Sequence, residues 1–219
     1  MDLNYFKNTA GDREVIVFGS GPSVNKLSEN TLDSLFISYD TIGTNEFIHF
    51  PKKVDYYFIG DALHKNRGYN SEPEAYNNYM PKRAKFFRNS ILKKVGYNRL
   101  PLGIPNVIYY DCTELPENKL LPNSRLNGDL LYDCFSISFE AIQFALLSGY
   151  KKIYLAGMDC DYSNGTFHSD VVKPEVIRHN KKVLKVWSIF AYWVGVFYPD
   201  VEIFSINPVK MNLFQKVII

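Results

Sequence analysis

Five residues, Gly19-Ser20-Gly21-Pro22-Ser23, follow the apolar run Val15-Ile16-Val17-Phe18 and precede a stretch with helical spacing. A strand running into such a loop leaves backbone N–H groups at a helix start, where partial positive charge favours a phosphate or carboxylate. Glycine suits that task because a Cβ would hold a ligand away from the backbone. The loop lacks the third glycine of a dinucleotide fingerprint and the Lys-Ser/Thr of a P-loop. An ordinary strand-to-helix turn is therefore the competing reading.

Asn45 and Asp61 follow the next two strand candidates, so both belong at the carboxyl edge of a parallel sheet, where open α/β folds bind ligands. There Asn45 reads a base or sugar and Asp61 a hydroxyl or a metal, or each caps its own turn. Ser136 and Ser138 open an apolar helix and either offer hydroxyl and N–H groups to an anion or serve as caps alone. The strand Ile153–Ala156 ends in Gly157, Met158, Asp159, Cys160, Asp161 and Tyr162, and the polar loop continues to His168. Such a loop can close over a site, and its aspartates could hold Mg²⁺ on a pyrophosphate although no metal-binding helix pattern is present. His168 in that loop and His179 in the following helix are the candidate proton acceptors. His179 shares the apolar stripe of Val183, so a hydrogen-bonded core histidine is its alternative; His49 and His64 have weaker neighbourhoods.

The elements that must position these residues follow from periodicity. Short apolar runs predict strands at Glu14–Phe18, Phe36–Tyr39, Val54–Ile59, Ala84–Phe87, Val107–Tyr110, Ile153–Ala156 and Val201–Phe204. Most are too continuous for a sheet with one wet face, which favours a parallel sheet covered on both sides. Helices are predicted at Val24–Leu35, at Ser136–Ser148 closed by Gly149, and at Pro174–Phe197 with Pro174 in the first turn. The expected class is α/β and Rossmann-like, with helices on both faces and a lid at about 160–180, in one domain over 1–219. The stretches Gly60–Arg99 and Leu100–Asn127 read as elaborations at the sheet edge. The tail Val209–Ile219 reads as a last strand, with peripheral membrane contact as the alternative.

Composition removes other classes. With 219 residues and 46% apolar content the chain can bury one sizeable core. A net charge of +2 gives no basic face for nucleic acid. Cys112, Cys134 and Cys160 form no Cys-x-x-Cys pair, against both a disulfide scaffold and a thiolate zinc site. The start Met1-Asp2-Leu3-Asn4 is unlike a signal peptide and no window reaches the ~18 apolar residues of a membrane span. A cytoplasmic protein is expected, with the inner face of the membrane as a second location and homo-oligomer formation left open.

In this order the residues resemble the bacterial sialyltransferases of glycosyltransferase family 42, enzymes of surface-glycan synthesis. The resemblance runs from about Glu14 to Pro208 and is patchy between Ala62 and Asn127. It rests on Val17–Ser23, Thr44–Phe47, Gly149–Asp159 and Tyr162–Gly165, of which the third is the most specific. It implies that Gly19, Ser20, Gly21, Ser23 and Asn45 hold the CMP of the donor and that Tyr162 stabilises the departing phosphate. It also implies that the base is His179, the better match by distance from Asn207-Pro208, with His168 as the alternative. The family's asparagine stands where this chain has Ser20, and its Thr-Ser-Gly, which contacts the donor sugar carboxylate, is Ser136-Ile137-Ser138 here. A second lid tyrosine of the family falls near His168.

The implied activity is inverting transfer of a sialic acid-like sugar from a CMP-linked donor to a glycan or lipooligosaccharide acceptor by general-base catalysis, with no cofactor. The Gly-Ser-Gly-Pro-Ser loop and Gly-x-Asp strand also resemble the motility-associated and 6-hydroxymethylpterin pyrophosphokinase-like proteins. That resemblance implies pyrophosphoryl transfer from ATP, with Mg²⁺ held by Asp61, Asp159 or Asp161. A non-catalytic nucleotide-binding protein is the third reading.

Overall fold

The computed structural model describes residues 2–60, 79–88, 106–113, 121–128, 130–161 and 174–218, with backbone only for 174–181. Eight strands make one sheet: β1 (Val15–Phe18), β2 (Asp40–Thr44), β3 (Tyr56–Ile59), β4 (Ala84–Arg88), β5 (Val107–Tyr110), β8 (Lys152–Ala156), β9 (Glu202–Ile206) and β10 (Gln215–Val217). Their spatial order is β10-β9-β8-β1-β2-β3-β4-β5 and every neighbouring pair is parallel. The short strands β6 (Cys112–Thr113) and β7 (Leu131–Tyr132) pair separately. The α/β, Rossmann-like architecture expected from the covered apolar runs is the one the chain adopts.

Strand alternation divides the core between the two faces. Val15 and Val17 of β1 join Phe58, Phe86, Phe139, Phe144 and Trp187 on one side. Ile16 and Phe18 join Leu35, Phe47, Tyr57 and Phe87 on the other. Helices α2 (Ile137–Ser148) and α3 (Pro174–Phe197) cover the first face, and α1 (Glu29–Ser38) covers the second. In α2 every residue is buried, and Phe139 reaches Trp187 of α3 with ring centroids 4.4 Å apart. Ser136 caps α2 by accepting the Ser138 N–H, and Gly149 ends it in the left-handed region at φ +89°.

The expected strand at Phe36–Tyr39 is helix: α1 runs to Ser38, capped by Ser28, which accepts the Thr31 N–H. The second strand is Asp40–Thr44, which reads as polar and yet is wholly buried. Its polar groups are matched, since Asp55 Oδ2 accepts from the N–H and hydroxyl of Thr41 at 2.9 and 2.8 Å. Asp40 accepts from Arg13, Arg83 and the Tyr150 hydroxyl. The expected helix at Val24–Leu35 likewise divides into a 3-10 turn, Pro22–Lys26, and α1. Lys85 on β4 is another polar residue that periodicity hides: it is 1% exposed and burial lowers its ammonium to about 8.

The tail forms β10, with Asn207 donating its N–H to the Val217 carbonyl at 3.2 Å, so the last-strand reading holds. Among the described residues no helix is long and apolar enough to cross a membrane. Cys112, Cys134 and Cys160 form no disulfide, and burial pushes the Cys160 thiol up to about 12.

Candidate functional site at the carboxyl edge

The chain starts in the middle of the sheet, builds outward from β1 to β5, then returns to place β8 against the other side of β1. Strand order therefore reverses between β1 and β8, and the loops leaving these two strands carry the motifs singled out from sequence. They are knitted to one another. Gly19 donates its N–H to the Ala156 carbonyl at 2.8 Å and Gly21 to the Gly157 carbonyl at 2.8 Å. Ser23 donates its N–H to Asp159 Oδ2 at 2.8 Å and its hydroxyl to Asp159 Oδ1.

The glycine loop thus does most of its hydrogen bonding within the chain. Of the residues expected to hold an anion, Gly19, Gly21 and Ser23 give their N–H groups to the neighbouring loop, and Pro22 has none. Ser20 is half-buried, and among the described residues nothing accepts its N–H. Asp159 is 1% exposed; burial raises its carboxyl above the ordinary range, the Ser23 donors and Lys26 oppose that, and Asp161 adds to it. Lys210, in the loop after β9, binds this segment through its N–H to the Asp159 carbonyl at 3.2 Å and its ammonium to Asp161 at 2.8 Å.

The glycines are explained by this loop-to-loop contact. A Cβ at Gly21 would lie 2.5 Å from the Gly157 carbonyl oxygen and 2.6 Å from the Asp159 carboxylate, and one at Gly19 would lie 2.7 Å from that same oxygen. Gly157 sits at φ +66°, with Val24 and the Gly19 carbonyl against the place a side chain would take. Gly21→Ala is accordingly expected to lower stability by about 1–3 kcal/mol through overpacking, measured by urea denaturation. A variant of unchanged stability but weaker nucleotide binding would restore the ligand-approach explanation of that glycine.

Asn45 follows β2 at φ +42° and its Oδ1 accepts the Gly60 N–H at 2.9 Å, while its carbonyl accepts from the Tyr57 hydroxyl. It fastens the carboxyl ends of β2 and β3 together. Gly60 lies against Ile137, which brings the start of α2 to the same edge. Ser136 Oγ accepts the Ser138 N–H at 3.4 Å as the cap of α2, and Ser138 is 8% exposed. The structure thus brings the glycine loop, Asn45, Ser136, Ser138, Gly157 and Asp159 to one edge. Asp61, Tyr162 and His168 lie outside the described residues. His179 is on the backbone of α3, and its side chain is outside them as well.

Sequence reading missed a buried ionic cluster on this edge. Arg88, the last residue of β4, reaches Glu140 in α2 through Nη2 and, at 3.3 Å, through Nε, and binds Asp133 through Nη1 at 2.7 Å. Tyr110, the last residue of β5, donates its hydroxyl to Glu140, and burial pushes that phenol up. The signal was an arginine ending an apolar strand and a glutamate in the first turn of a mostly apolar helix. Neither stands in a recognisable spacing. His49 also has a partner, with its Nε2 3.2 Å from Glu46.

Among the described residues no three His, Cys, Asp or Glu side chains are grouped to hold a metal ion. No known protein-family model and no curated protein matches the chain.

Proposed function

We propose that the chain is a glycosyltransferase that moves a sialic acid-like sugar from a CMP-linked donor to a glycan acceptor, inverting, at the carboxyl edge between β1 and β8. The observation that carries this reading is the reversal of strand order there. Two polar loops, Asn45 and the start of α2 converge on the point where open α/β sheets bind ligands. The phosphate contact narrows from the whole glycine loop to Ser20, the position at which the resembled family carries asparagine. In this reading His179, or His168, takes the proton of the acceptor hydroxyl, and Tyr162 stabilises the departing phosphate.

Pyrophosphoryl transfer with Mg²⁺ is less favoured because two of its three candidate carboxylates are engaged. Asp159 uses both oxygens on Ser23, and Asp161 is paired with Lys210. Calorimetry against CMP, CDP, UDP, GDP and ATP, each with and without Mg²⁺, is the test. Metal-independent preference for CMP is expected. Preference for ATP with Mg²⁺ would overturn the proposal in favour of the kinase, and CMP binding without turnover across donors would leave a non-catalytic nucleotide binder.

A further inference from the structure

Phe135, the residue before the cap of α2, holds a backbone conformation that bulky L side chains rarely adopt, at φ +68°. Its ring is 40% exposed, so little of that strain is returned by core packing. The conformation is held from below: the Phe135 N–H donates to Asp133 Oδ1 at 2.8 Å, and Asp133 is held by Arg88 at 2.7 Å. Arg88 is in turn anchored to Glu140, which is 0% exposed. A partly buried network anchored on Glu140 thus presents an aromatic ring outward at the carboxyl edge. Over the ring, 3.4 Å from its centroid, stands the ammonium of Lys182 from α3. No carboxylate among the described residues pairs with Lys182. A cation on an exposed ring is only modestly held, so its N–H donors can still serve an anion.

We infer that Phe135 and Lys182 form a subsite for a ligand ring that presents an apolar face beside an anionic group. The ring edge of Phe135 supplies the wall, and Lys182 supplies a charge-assisted hydrogen bond to a carboxylate or phosphate oxygen. Asp133 and Glu140, the acids of the network beneath Phe135, are each paired with Arg88. Within the proposed function, on which this inference rests, two groups of the donor have that chemistry. One is the acidic sugar, with its C–H face and carboxylate; the other is the nucleotide, with its base and phosphate.

The test is calorimetry of wild type, Lys182→Met, Lys182→Arg and Phe135→Ala with three probes: cytidine, CMP, and an unreactive fluorinated CMP-sialic acid analogue. Losing a charged hydrogen bond should weaken the affected ligand about 10- to 100-fold in Lys182→Met, with most of the affinity restored in Lys182→Arg. Phe135→Ala should weaken the same ligand. If only the analogue loses affinity the anionic group is the sugar carboxylate, and if CMP loses it equally while cytidine does not, the group is the phosphate. Both results support the subsite. Unchanged binding of all three probes in Lys182→Met and Phe135→Ala, with wild type binding CMP, overturns the subsite alone. Failure of wild type to bind either CMP or the analogue overturns the proposed function and this inference with it. Lys182 is exposed, so its variants test the idea even if Phe135→Ala folds poorly.

Discussion

Arg88→Met is expected to lower the unfolding free energy by about 3–5 kcal/mol, measured by urea denaturation at neutral pH. Glu140 is completely inaccessible and faces Arg88 and the Tyr110 hydroxyl, and Asp133 depends on the same guanidinium. Taking the arginine away leaves a buried carboxylate without its counter-charge, and the cost of that unpaired charge exceeds what the lost contact alone would give. The double variant Arg88→Met with Glu140→Leu should therefore recover much of the loss, because no uncompensated charge then remains at the centre of the cluster. A single-variant loss below about 1 kcal/mol, the value of an exposed pair, would mean that water reaches Glu140. Asp133 and, through it, Phe135 at the start of α2 are tied to the same guanidinium.

Turnover in His179→Ala should fall by about 10² to 10⁴-fold with nucleotide affinity nearly unchanged, the range for a lost general base. Position 179 lies one helical turn before Lys182, whose ammonium rests on Phe135 at the mouth of α2, so this part of α3 stands at the carboxyl edge. A base at that place would act on the acceptor and leave the grip on the donor nucleotide intact. Rate and affinity should therefore separate. Single-turnover rates with a CMP-linked donor, together with calorimetry for CMP, measure the two quantities independently. An unchanged rate would move the role to His168, where the corresponding alanine variant should show the loss instead. Equal loss of rate and CMP affinity would mark His179 as a structural histidine.

Local chemistry made several elements legible. Ser136 and Gly149 bound α2 because an N-cap hydroxyl and a left-handed residue satisfy helix ends wherever the helix lies. Pro174 and the apolar period marked α3 over its whole length. Strand β2 was misplaced because its buried polar residues are satisfied by Asp55, Arg13 and Arg83, each distant in sequence or beyond a single periodic window.

By itself the sequence determined the α/β class, since uninterrupted apolar strands must be covered on both faces. It also determined that a glycine-bearing turn follows the first strand. Only the tertiary structure decided what those glycines are for. Placing β8 beside β1 puts the Gly157 carbonyl and the Asp159 carboxylate where the loop amides point, and long-range hydrogen bonds consume donors that look open in a linear reading. The Arg88–Glu140 cluster was likewise invisible, because its members come from β4, β5, α2 and the turn before α2 and meet only when the sheet is assembled.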